Sequence, residues 1–152
     1  MVIKTDPIQH ALQLPCGARF YKCALQVNPH HYSTTFRGQA STWEAESYAR
    51  AIVDKALELG ITVLAITDHN SASSVGAFRA AAEGKEVYIF PGFELASREG
   101  VHVLCIYGPD TPDERLNRYL GAFGITDTKP SATLADQPFV EILAKVREQG
   151  GI

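Results

Sequence analysis

Cysteine is scarce in this chain of 152 residues: Cys16, Cys23 and Cys105 are its three thiols, and no two form a CxxC pair. An odd, scattered set excludes a disulfide frame or a zinc ribbon and suits a reducing compartment. No apolar run approaches the roughly 20 residues of a membrane span. The opening residues lack the basic stretch and apolar run of a secretory signal, so the expected location is cytoplasmic. Basic charge is missing too. A net charge of -3 gives no electrostatic capture of nucleic acid or an anionic membrane. No internal repeat or low-complexity tract is present. What remains is an ordinary globular composition, 45% hydrophobic and 20% charged, in a length that suits one domain.

The stretch that organises the chain is Val63-Leu64-Ala65-Ile66, which ends abruptly in Thr67-Asp68-His69-Asn70. A short continuous apolar run predicts a strand buried on both faces. Strands of α/β folds present their C-terminal ends to the ligand crevice, which puts these polar residues on the working face. A carboxylate beside an imidazole suits metal binding or proton transfer. The plainer alternative is that Asp68 and Asn70 turn the chain and cap the next helix.

Residues 1–18, interrupted by Pro7 and Pro15, read as an N-terminal arm, and residues 19–152 as one α/β domain. A first strand spans 19–27 and leaves Gln26 and Asn28 on one face. Pro29 stops it, and His30 and His31 open a long polar loop. Ser41-Thr42-Trp43-Glu44 is a capping-box pattern for a helix to about residue 59. Its apolar stripe is Ala45, Tyr48, Ala49, Ile52, Val53, Ala56 and Leu59, with Glu46, Arg50 and Asp54 spaced for ion pairs outside. A second helix is predicted over 71–82, its serines at 71, 73 and 74 forming a weak anion-site candidate. A third strand over 86–90 is expected to break at Pro91-Gly92 before Phe93-Glu94-Leu95-Ala96. Glu94, an acid among apolar residues, needs a cation or donors nearby. A hairpin through 98–100 folds the strand 101–107 back and brings His102 beside Glu94. A helix over 109–122, a loop over 125–135 and a helix from Pro138 follow, with Glu141 and Lys145 spaced for an exposed pair. Ile152 reads as the first residue of a further strand.

Polar residues thus gather at strand ends: Gln26 and Asn28, Asp68 and His69, Glu94, His102. Imidazoles and carboxylates converging in this way suit Zn, Mn or Fe. Three pieces, Ile66-Thr67-Asp68-His69-Asn70, Pro91-Gly92-Phe93-Glu94-Leu95 and Val101-His102-Val103-Leu104, resemble in order and spacing the signatures of the PHP family, the polymerase and histidinol phosphatase domains. Within that family the chain is most similar to N-terminal PHP domains of large ATPase-associated proteins. The resemblance implies an α/β fold that is a partial, distorted (β/α)7-type barrel, TIM-like, with mostly parallel strands and one hairpin. It implies metals at the strand ends, with His69, Glu94 and His102 as ligands and Glu94 as the bridging carboxylate. Asp68 matches the acid before the histidine and is the catalytic or supporting candidate.

Two departures stand out. The family opens on two histidines flanking one residue, where this chain has Gln26 and Asn28; an amide oxygen is the weaker, neutral ligand. Asn28, His30 and His31 are therefore the further candidate ligands. The family's closing signatures also follow a helix like the last one here, so the chain is expected to be a piece of a longer protein. The expected function is a metal-dependent phosphoesterase acting on a phosphate mono- or diester, with a nucleotide among the candidates. Lys22, Arg37 and Arg98 are candidate phosphate contacts. A degenerate, non-catalytic module serving an ATPase is the competing reading, and a generic α/β domain with coincidental polar strand ends is the third.

Overall fold

The computed structural model describes residues 20–28, 43–126 and 133–152. Within them the order is β1 (Cys23–Val27), α1 (Ala45–Glu58), β2 (Val63–Ile66), α2 (Val75–Ala82), β3 (Tyr88–Ala96), β4 (His102–Ile106), α3 (Asp113–Gly121) and α4 (Phe139–Glu148). The fold is mixed α/β. One sheet runs β1-β2-β3-β4, with β1, β2 and β3 parallel and β4 antiparallel to β3. No helix among the described residues is long and apolar enough to cross a membrane.

β2 forms where the sequence predicts it, and Leu64, Ala65 and Ile66 are fully buried. The stripe on α1 buries Ala49, Val53 and Ala56 and half-buries Tyr48 and Ile52, whereas Leu59 lies past the helix end and is exposed. Gly60 takes a φ of 68°, the left-handed stop that glycine adopts without strain. Asp54 pairs with Lys85 rather than with Arg50, at 2.7 Å. Lys145 likewise leaves Glu141 and donates to the Ala122 carbonyl at the end of α3. In both cases a contact with a neighbouring element replaces an exposed pair along one helix. Ser41 and Thr42 of the capping pattern lie outside the described residues; Glu44 is the N-cap of α1 and makes no side-chain cap bond.

β3 is where the expectation fails. It does not break at Pro91-Gly92 but runs unbroken for nine residues. The pair marks a handover. Tyr88 to Pro91 are in register with Val63 to Ile66 of β2, and Gly92 to Ala96 with Ile106 to His102 of β4. Pro91 has no N–H to give, yet its carbonyl accepts from Tyr107 at 2.9 Å. Glycine at 92 lets the two backbones close up, since a Cβ there would run into the Cys105 carbonyl.

The core lies between the sheet and the helices and includes Leu64, Ile66, Phe78, Phe93, Leu95, Leu116, Phe123 and Ile142, all fully buried. Each such side chain contributes about 1.5–3 kcal/mol by leaving water. Phe93 packs on Tyr107 and Phe123, with ring centroids 5.7 and 6.2 Å away. That anchors β3 one residue before Glu94.

Candidate metal centre

Beyond Ile66 the β2 chain is no longer strand, but its register with β3 resumes at His69, which bridges Glu94. The Glu94 amide donates to the Asp68 carbonyl at 2.8 Å, and the Asn70 amide to the Glu94 carbonyl at 2.7 Å. His69 is thus clamped on both sides to the residue it must meet. Asn70 then turns the chain away at a φ of 55°, a conformation asparagine tolerates better than most residues.

On the other side of β3 the hairpin does what its sequence suggests. Gly100, at a φ of 82°, closes a turn between Ser97 and Val101 and puts His102 opposite Ala96. His102 Nδ1 then lies 2.6 Å from Glu94 Oε1. The two imidazoles stack, with centroids 5.3 Å apart and planes 16° apart. One ligand atom from each of His69, Glu94 and His102 lies within 4.8 Å of the others.

Burial divides the three. The Glu94 side chain is 7% exposed and that of His102 63% exposed, so the charge sits at the base and an open imidazole at the rim. A buried carboxylate requires partners. Among the described residues Glu94 has two: His102 on Oε1 and the Gln26 amide, whose Nε2 donates to Oε2 at 3.0 Å. Burial lowers the pKa of His69, with Glu94 opposing that shift and His102 adding to it. A neutral imidazole is the form that ligates a metal.

Asp68 is buried beside this cluster. Its Oδ2 accepts from the Ser74 hydroxyl and, at 3.3 Å, from the Ser74 amide. Its Oδ1 is buried with no hydrogen-bond partner among the described residues. Burial pushes the carboxyl up to about 7, with the Ser74 bonds opposing the shift. Half of the plainer reading therefore holds, because Asp68 does tie down the entry to α2. That helix starts at Val75, later than predicted, since Ser74 turns to Asp68 and Ser71 to Ser73. Tyr48 donates to the Asn28 carbonyl at 3.2 Å; its pKa is raised by burial and, secondarily, by Asp68.

Of the other candidates, Asn28 follows β1, with its Oδ1 buried and unbonded among the described residues. His30, His31 and Arg37 lie outside the described residues. Lys22 is misplaced as a phosphate contact: it precedes β1, at the far end of the sheet, and donates to the Leu59 carbonyl at 2.9 Å. Arg98 sits in the hairpin turn, its amide bonded to the Gln137 carbonyl. Sequence reading placed Ser74 in a weak anion site and Tyr48 in the apolar stripe, and gave no signal for the bonds to Asp68 and to the Asn28 carbonyl. It noted Gln26 only as a departure from pattern.

Two imidazoles and a carboxylate in reach of one point suit Zn, Mn or Fe, and the unbonded Asp68 oxygen nearby adds a buried acceptor. No protein-family model matches the chain, and no curated protein does. Among solved structures it is similar to a "putative metal-dependent phosphoesterase" from Bifidobacterium adolescentis, at 15% identity and a TM-score of 0.45, over 87% of this chain and 64% of that one. The chain thus spans less than two thirds of that protein's length.

Proposed function

We propose that residues 19–152 form a metal-binding PHP-type domain whose parent protein hydrolyses a phosphate mono- or diester, with nucleotides among the candidate substrates. The convergence of His69, Glu94 and His102 carries this reading, and the three matching sequence pieces support it. On this reading the sheet is part of a (β/α)7-type barrel, residues 1–18 form an arm, and the protein works in the cytoplasm. A bound divalent ion would supply Lewis-acid activation of water and charge neutralisation at a phosphoryl group. Glu94 supplies the negative charge that retains a cation, and its depth keeps that charge out of water. His69, held neutral by burial, offers a lone pair. His102 stands at the exposed rim, where a substrate can approach. Asp68 has one oxygen fixed by Ser74 and the other free to take up a proton.

A second reading has one observation in its favour. The Gln26 amide already satisfies one Glu94 oxygen, as in a degenerate module that serves an associated ATPase without catalysis. Elemental analysis of the chain purified without chelator separates these readings from coincidence. Metal that is retained in the wild type and lost in Glu94→Gln supports the centre. Equal metal in both removes it. Turnover of p-nitrophenyl phosphate or its bis-ester by the metal-loaded full-length protein favours the enzyme; metal without turnover favours the module.

A further inference from the structure

We infer that the centre takes one ion and that Gln26 is the residue that sets this limit. The inference rests on the metal-binding reading above and specifies its stoichiometry. A carboxylate bridges two cations across its two oxygens only when each oxygen can turn a lone pair toward one of them. Glu94 Oε1 faces the imidazole of His102 at 2.6 Å, and Oε2 faces the Gln26 amide at 3.0 Å. The amide must present its NH2 end there, because its carbonyl end would set two acceptors against each other. An NH2 group directs partial positive charge at Oε2, and its nitrogen has no lone pair to offer a metal. It occupies the carboxylate oxygen that a second cation would have to share.

The backbone explains why Gln26 reaches across. β1 is in register with β2 at Ala24 and Leu64 and again at Val27 and Ile66, with an irregularity between. Such a bulge re-aims the side chains within it, and Gln26 is one of the two residues inside. Its side chain thereby crosses the end of β2 to a carboxylate 68 positions away in sequence. On the opposite side the stacking of His69 on His102 gathers the nitrogen donors into one group rather than two. Among the described residues the site therefore has one set of nitrogen donors and one side closed by a donor hydrogen.

The test is titration of the full chain with Zn2+ by calorimetry, with Mn2+ loading followed by electron paramagnetic resonance. Wild type should take up one equivalent and give an uncoupled Mn2+ spectrum. Gln26→His exchanges the NH2 group for a nitrogen lone pair and should take up two, with the Mn2+ signal broadened by a neighbour ~3.5–4 Å away. Gln26 is exposed, so this variant should fold, and circular dichroism checks that it does. Two Glu94-dependent equivalents in wild type would overturn the single-ion inference and leave the metal centre standing. One equivalent in both proteins would overturn the part assigned to Gln26. No uptake by wild type would overturn the metal centre itself.

Discussion

Two strands meet at the Glu94 carboxylate, and they are built differently. β3 carries it, is bonded to β2 and β4 in turn, and is buried at every position from Pro91 to Ala96. β1 only reaches it. Among the described residues β1 pairs with β2 alone, and it leaves Cys23, Leu25 and Gln26 exposed. The charge is fixed where the fold is firmest, and the group that modulates it comes from a strand with little packing at stake. Substitution at the exposed positions of β1 can therefore retune the site without unfolding it; substitution between Pro91 and Ala96 of β3 cannot.

Chemical denaturation gives the largest contrast. Phe93→Ala should cost about 3–5 kcal/mol, as expected for a fully buried aromatic. Leu25→Ala, on the exposed side of β1, should change stability by under ~0.5 kcal/mol. Similar losses from both would end the comparison. Gly92→Ala comes next, at roughly 1–3 kcal/mol, because its methyl meets the Cys105 backbone rather than a movable side chain. A change within error in the same assay would mean that β3 and β4 leave room for a methyl group between them. His102→Ala takes one partner from the buried Glu94 carboxylate and should cost about 1–3 kcal/mol, although its own side chain is mostly exposed. It should also weaken Zn2+ binding by at least about tenfold in calorimetry.

The thiols report the same contrast on a finer scale. Burial pushes the Cys105 thiol of β4 up to about 12, so its reactive thiolate is absent at pH 8. Cys23 on β1 is exposed. In a Cys16→Ser background, iodoacetamide at pH 8 should label Cys23 promptly and Cys105 only on unfolding or near pH 12. Labelling of both at one rate would show that the hairpin opens as readily as the edge.

The sequence made the elements legible wherever periodicity or a stop signal was strong: β2, the α1 stripe, Gly60, and the hairpin through residues 98–100. It misled at Pro91-Gly92 because the two residues disfavour a strand locally, whereas tertiary pairing uses the missing N–H and missing side chain to change partners. The meeting of His69, Glu94 and His102 could be anticipated, since each lies at a strand end or beside a turn. The Gln26–Glu94 bond could not. It depends on a bulge, which leaves no periodic trace, and on a neighbour distant along the chain. Ser74 was hidden for a related reason: a serine before a helix looks the same whether it bonds its own backbone or a buried carboxylate.

The β3–β4 hairpin also sets an order in time. Glu94 and His102 are eight positions apart, and a hairpin of that span closes within about 1–10 μs. Gln26 must cross 68 positions and wait for the parallel ladder, which pays its loop-closure entropy before any contact is gained. During folding, an ion encountering the chain would first find an acid and an imidazole already paired. His69 and Gln26 would close around it afterwards, so metal present in the refolding buffer should speed assembly of the site rather than merely fill it.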